Sequence, residues 1–193
     1  MTDERYHHGN LRTTLLEAAQ ETLRESGVDA LSLRDLARRA GVSHAAPRRH
    51  FPDRQELIDA LTISGFEQLH EQLRTATDAA DPDFRSRLQA IADTYVNFAS
   101  GDVALLELMF RRKHDSERFV QAAHPSFALM ASVLAQGQAE GELQAGDLER
   151  IGTVLLATLH GIATVINGGL APVEVLDGLV DTAVEQFVRG ARP

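Results

Sequence analysis

The chain has 193 residues, with 28 Asp and Glu against 19 Lys and Arg, a formal net charge of −9, and neither Cys nor Trp. At roughly 150 residues per domain the length allows one compact domain or a small module joined to a larger one. Without Cys there can be no disulfide framework, thiol nucleophile or Cys-ligated metal, and the surplus of acids argues at first sight against a nucleic-acid partner.

Ala and Leu make up more than a quarter of the chain, while β-branched runs with strict alternation are absent. This predicts an all-α fold. The first helix is expected from about Asn10 to Glu25, with Leu11, Leu15, Ala18, Ala19 and Leu23 on one face and Ser26-Gly27 as its stop. A short helix follows from Leu33 to Ala40, with Ser32 as N-cap and Asp35 completing a capping box, and Gly41 ends it. Ser43 offers a second N-cap for a third short helix reaching about Phe51. Asp53 and Glu56 repeat the cap pattern and open a long helix with Leu57, Leu61, Leu69 and Leu73 inward. The polar stretch from Thr75 to Asp83 reads as a linker.

Beyond the linker, Phe84, Leu88, Ile91, Tyr95 and Phe98 mark a fifth helix, and Val103, Leu106, Met109 and Phe110 a sixth. After the tract Arg111-Arg112-Lys113-His114, read as a solvated turn, a seventh helix carries Phe127, Met130, Val133 and Leu134. Pro52, Pro82, Pro125 and Pro172 act as punctuation between helical segments. The eighth helix spans Asp147 to about Asn167, and the last runs from about Val173 to Arg189. No uninterrupted apolar run approaches the ~20 residues of a membrane-spanning helix, and residues 1–10 lack the apolar core of a signal peptide, so a cytoplasmic protein is expected.

The charge is unevenly distributed. Residues 1–54 carry a net +1 and residues 55–193 a net −10. Arg34, Arg38, Arg39, Arg48, Arg49 and Arg54 fall within a short stretch whose acids are Asp35 and Asp53. That stretch has the anatomy of a helix-turn-helix. Ala37 is small enough for two helices to cross steeply, Gly41 supplies a positive-φ turn, and Leu36 and Val42 fill the seam. Pro47 and Phe51 face inward, which leaves His44, Ala45, Arg48 and Arg49 outward for a major groove.

Tyr6-His7-His8-Gly9-Asn10-Leu11-Arg12, the helix-turn-helix, and the run from Arg49 through His50-Phe51-Pro52-Asp53 to Leu57 together resemble the N-terminal domain of the TetR family of bacterial transcriptional regulators. Leu159-His160-Gly161 and Ser43-His44-Ala45-Ala46-Pro47 are similar to one TetR subfamily with a C-terminal His-Gly motif. The resemblance implies a DNA-binding domain at residues 1–54, a linking helix from about 54 to 74, and a ligand-binding and dimerisation domain at 75–193. It further implies a homodimer through the last two helices, a near-palindromic double-stranded DNA operator, and a small-molecule effector that releases a repressor.

Carried over position by position, the resemblance gives Arg34, His44, Ala45 and Arg48 as base-reading residues. It gives Ser43, Ala46, Arg49, His50 and Arg54 as the cap and phosphate contacts. Arg48 stands where the family commonly has Tyr. The effector-pocket candidates are Phe66, Tyr95, Phe98, Met109, Phe110, Phe127, Met130 and His160, apolar bulk with a few polar groups.

No metal site or cofactor is expected, since His7-His8 has no third ligand at suitable spacing. His70-Glu71 lacks the second His of a zinc-protease helix, and phosphate loop, dinucleotide fingerprint and nucleophile elbow are all missing, so an enzyme is not expected. The alternative from another class is a helical small-molecule-binding protein whose helix-turn-helix no longer binds DNA. Retention of the six arginines argues against it.

Overall fold

The computed structural model describes residues 11–111 and 117–192. They form α1 (Leu11–Ser26), a 3-10 turn (Val28–Ala30), α2 (Leu33–Arg39), a second 3-10 turn (Pro47–Arg49), α3 (Arg54–Ala79), α4 (Phe84–Gly101), α5 (Val103–Met109), α6 (Glu117–Ala139), α7 (Leu148–Asn167), α8 (Val173–Leu176) and α9 (Leu179–Gly190). No strand occurs among the described residues, and the fold is all-α as the composition predicts. The chain divides into two compact units, Met1–Gly65 with Ala104–Asp115, and Phe66–Val103 with Ser116–Pro193.

In the first unit the inward face of α1, with Leu15, Ala19 and Leu23, packs in a core that also holds Leu31, Leu36, Ala37, Phe51, Leu57 and Leu61, all nearly solvent-free. The turn after α2 follows the predicted mechanics. Gly41 has φ +67, its amide donates to the Arg38 carbonyl at 3.3 Å, and the Val42 amide donates to the Ala37 carbonyl at 3.0 Å. This pair of bonds is a Schellman closure, which satisfies carbonyls that the helix end leaves free. At the start of α3, Asp53 caps as expected, accepting from the Glu56 amide at 2.9 Å.

Two sequence expectations change here. Ser32 occupies the N-cap position of α2 but makes no side-chain cap bond, and the Asp35 carboxylate instead accepts from Arg38 at 3.1 Å. Second, the segment from Ser43 to Phe51 is a turn followed by the Pro47–Arg49 3-10 turn rather than an α-helix. Pro47 is the reason, since it has no N–H to donate to the Ser43 carbonyl. That carbonyl accepts from Ala46 at 2.9 Å instead, and the tight pattern continues from Arg49 to the Ala46 carbonyl at 3.2 Å.

In the second unit α4 is central and packs against α6, α7 and α9, while α7 also contacts α6 and α9. Phe84, Leu88, Ile91, Leu134, Leu143, Leu155, Leu159 and Val188 fill the core. Asp83 and Asp147 cap α4 and α7, accepting from the amides of Ser86 at 3.1 Å and Glu149 at 2.9 Å. The start of α4 is tied to the end of α6 by Arg85 to Glu142 at 2.6 Å and Gln136 to the Pro82 carbonyl at 2.7 Å.

Three boundaries differ from expectation. Helix α3 runs through Thr75 to Ala79, because Arg74 pairs with both Glu71 at 2.7 Å and Asp78 at 2.8 Å across successive turns. Pro125 lies inside α6, where it forfeits one backbone bond without ending the helix. The last predicted helix is broken in two at Asp177-Gly178, with Gly178 at φ +67. Helix α7 is long and apolar enough by length and composition to cross a membrane, but it packs against α4, α6 and α9 with one face inward.

Candidate functional site

The segment from Ser43 to Phe51 in the first unit is built by opposing anchors. Pro47 and Phe51 are buried, and the Phe51 amide donates to the Pro47 carbonyl at 2.9 Å, which closes the segment. The Arg12 guanidinium lies 5.5 Å from the centroid of the Phe51 ring, a cation–π contact that ties α1 to the same anchor. With these residues inward, Ser43, His44, Ala45, Arg48 and Arg49 are exposed, and Ala46 and His50 are half-buried. Arg34, at the start of α2, is exposed as well.

The six arginines of the basic stretch do not have equal freedom. Arg38 pairs with Asp35 on its own helix at 3.1 Å, and Arg39 reaches Glu25 of α1 at 2.9 Å. Arg54 donates from Nε to the Leu31 carbonyl at 2.9 Å and from Nη2 to the Val28 carbonyl at 2.6 Å, with Asp29 at 3.8 Å. Arg34, Arg48 and Arg49 make no such bond among the described residues. Three exposed cations therefore remain uncommitted beside a small Ala45 and an exposed His44, a surface suited to phosphates and base edges. Residues Tyr6 to Asn10 and the tract Arg112-Lys113-His114 lie outside the described residues, and Arg111 is exposed.

The effector-pocket candidates separate. Met109 and Phe110 belong to the first unit, and Phe66, Tyr95, Phe98, Phe127, Met130 and His160 to the second. Within the second unit, Tyr95 Oη on α4 lies 2.8 Å from His160 Nδ1 on α7. Burial holds the Tyr95 hydroxyl protonated far above the ordinary tyrosine range, so it meets His160 as a neutral phenol. Phe66, Tyr95 and Phe98 are core residues, each under a tenth exposed. Phe127 and Met130 line a half-open cleft of about 530 Å³ between α6 and α7, together with His124, Leu148, Gly152 and Leu156. On α7, Leu148, Gly152 and Leu156 recur every four positions and so form one helical row facing the cleft.

The opposite side of α7 borders a second hollow of about 540 Å³, shared with α9 and lined by Ile151, Val154, Thr158, Ala183 and Phe187. Val154 is 55% exposed, and Gly161, further along α7, has open space where a side chain would stand. Among the described residues no cluster of His, Asp and Glu could hold a metal ion.

Comparison with known proteins agrees with this arrangement. Residues 15–61 match the family of bacterial regulatory proteins called tetR, and residues 88–187 match the tetracyclin repressor-like C-terminal domain. A solved structure of a protein with unknown function from Rhodococcus sp. RHA1 is 45% identical, with TM-score 0.89 over 99% of this chain and all of that one. An uncharacterized HTH-type transcriptional regulator of Mycobacterium tuberculosis is 23% identical over 88% of this chain and 85% of its own length. The fold is shared with the transcriptional regulator FadR from Bacillus subtilis, solved in complex with stearoyl-CoA, at TM-score 0.74 and 16% identity over 93% of this chain and 99% of that one. With both halves matched, the chain belongs to the TetR family of DNA-binding transcriptional regulators.

Proposed function

We propose that the chain is a cytoplasmic repressor that binds a near-palindromic operator as a homodimer and leaves it when a small molecule binds the C-terminal part. Residues 1–54 are its reader, the helix from Arg54 its link, and residues 75–193 its sensing and dimerising part. The observation that carries this reading is the uncommitted cationic face, with Arg34, Arg48 and Arg49 exposed over the buried anchors Pro47 and Phe51. Arg34, His44, Ala45 and Arg48 face the base edges, and Ser43, Ala46, Arg49 and His50 hold the phosphates.

The homodimer joins through the exposed apolar side of α7 and α9. Val154, Thr158 and Gly161 there lie on one helical row, with Ala183 and Phe187 beside the shared hollow. Two readers related by a dimer axis would sit one turn of DNA apart, roughly 34 Å, which is why the operator is near-palindromic. The effector is small and mostly apolar, entering by the cleft that Phe127 and Met130 line, with Tyr95 and His160 as the polar pair of the same unit. A mostly apolar effector is in keeping with FadR, a protein of the same fold solved in complex with stearoyl-CoA. Release requires only that the effector bind one dimer geometry better than the other.

The test is in vitro selection of duplexes from a random library, followed by binding titrations. Arg48→Ala should weaken binding to the selected duplex by about 1–3 kcal/mol and relax its sequence preference. Arg74→Ala, which removes two exposed ion pairs within α3, to Glu71 and Asp78, should leave binding unchanged. A wild-type chain that enriches no sequence over bulk DNA would sink the reading.

A further inference from the structure

The expectation from family resemblance places Arg54 among the phosphate contacts, and the geometry points elsewhere. We propose that Arg54 is a positioning residue of the reader: its guanidinium clamps the linker between α1 and α2 to the first turn of α3, so that α2 and the segment after it are held in register with α3.

Three observations carry this. First, two nitrogens of one guanidinium donate to two backbone carbonyls, Nε to Leu31 at 2.9 Å and Nη2 to Val28 at 2.6 Å, residues 23 and 26 positions earlier in the chain. These are charge-assisted bonds, roughly twice as strong as neutral ones. Second, the carbonyls belong to the short Val28–Ala30 turn and the residue after it, the only covalent path from α1 to α2. The Val28 carbonyl also accepts from the Leu31 amide at 3.2 Å, so the clamp and the turn share an acceptor. Third, Leu31 is 1% exposed and fixes the turn to the core on its inner side. Arg54 holds the outer side.

The fork geometry matters because an ammonium offers compact donors at one point and cannot reproduce two bonds from a rigid plane. Asp29, 3.8 Å from Nη2, adds a weak attraction on an exposed surface. Those bonds commit two of the five N–H donors and fix the plane of the guanidinium toward the linker, in contrast to Arg34, Arg48 and Arg49. Displacement of α3 at its first turn would pull directly on the linker and hence on α2.

The inference rests on the DNA-binding reading proposed above, and the wild-type chain tests that reading separately by whether it enriches any duplex at all. The variants Arg54→Lys and Arg54→Gln are then titrated against the selected duplex and a scrambled duplex of the same composition, across a salt series. The expected result is a loss of about tenfold on the selected duplex for both variants, with scrambled-duplex affinity and salt slope unchanged. Amide exchange at Ala30 and Leu31 should quicken while that of Phe51 does not.

A phosphate contact predicts the reverse: Arg54→Lys retained, and Arg54→Gln weakened equally on both duplexes with a slope shallower by about 0.9 per lost contact. That outcome overturns the proposal. So does an Arg54→Lys chain that binds both duplexes as the wild type does, or one that loses its helical signal, since the clamp would then be holding the fold and not the reader.

Discussion

Gly137 of α6 lies close against Phe84 at the start of α4. A Cβ placed on Gly137 would lie 2.7, 2.8 and 2.9 Å from Cε2, Cδ2 and Cζ of the Phe84 ring. Carbon atoms are comfortable at about 3.5–4.0 Å, so the ring would have to retreat by most of an ångström. Phe84 is 1% exposed, so the ring has no solvent-facing side to retreat into. Its backbone is held as well, with its amide 3.3 Å from the Glu140 carboxylate one turn beyond Gly137. Overpacking of this kind costs about 1–3 kcal/mol, and the better helix propensity of Ala offsets about 1 kcal/mol of it. Gly137→Ala is therefore expected to destabilise by about 1 kcal/mol, a fall in Tm of about 2–4 °C for a chain of this size. The sharper measurement is a double-mutant cycle by urea unfolding. Phe84→Leu removes the ring edge, so Gly137→Ala should cost nothing or stabilise in that background, giving a favourable coupling of about 1 kcal/mol. Strict additivity, or a Gly137→Ala chain as stable as the wild type, would show that the contact imposes no strain and refute the reasoning.

Two further outcomes test other parts of the molecule. Gly41→Ala, at φ +67, should cost about 1–2 kcal/mol through the left-handed backbone alone, read as a lower Tm with the helical content of the native state retained. Asp83 is held ionised below its ordinary value of 3.8 by hydrogen bonds from the Ser86 hydroxyl and amide. A lowered folded-state pKa stabilises above the unfolded value and loses that contribution as pH falls through the folded one. Asp83→Asn keeps a cap acceptor but no charge, so the two chains should differ in Tm near neutral pH and converge below about pH 4. A difference that is constant with pH would assign the cap no ionic character.

The features legible in the sequence were those whose cause is local. Gly41 four residues after Ala37 specifies a steep turn because both requirements, a small contact residue and a positive φ, are written in the residue types. Asp53 announces the start of α3 for the same reason. What the sequence concealed depended on which of several partners wins. Asp35 could cap α2 or bind Arg38, and it binds Arg38. Pro47 was compatible with the first turn of a helix, yet the segment closed as 3-10. Arg54 is bonded to main-chain carbonyls, acceptors that every residue carries and no pattern can reveal. Periodicity told that Phe127 and Phe98 each face something. It could not tell that Phe98 faces core while Phe127 lines a cleft.

The net charge of −9 also takes on a different meaning once the side chains are placed. Phosphate affinity depends on cations that neutralise phosphates; Arg38 and Arg39 are engaged by Asp35 and Glu25, and Arg54 is turned toward the linker carbonyls. Arg34, Arg48 and Arg49 remain among the described residues of the reader. In the proposed homodimer these double to six, which limits the slope of log K against log salt on duplex DNA to a magnitude of about 5, reached if Arg34 and Arg48 neutralise phosphates as well as facing base edges. If all six arginines of the stretch touched phosphate, the slope would be about −11. The acidic remainder, net −10 over residues 55–193, repels the same polyanion. Binding to random duplex should accordingly be weak at physiological salt, with discrimination resting on the few side chains that reach base edges. A slope near the steeper value would mean that the internal pairs open on DNA, and that the division between reading and positioning arginines is wrong.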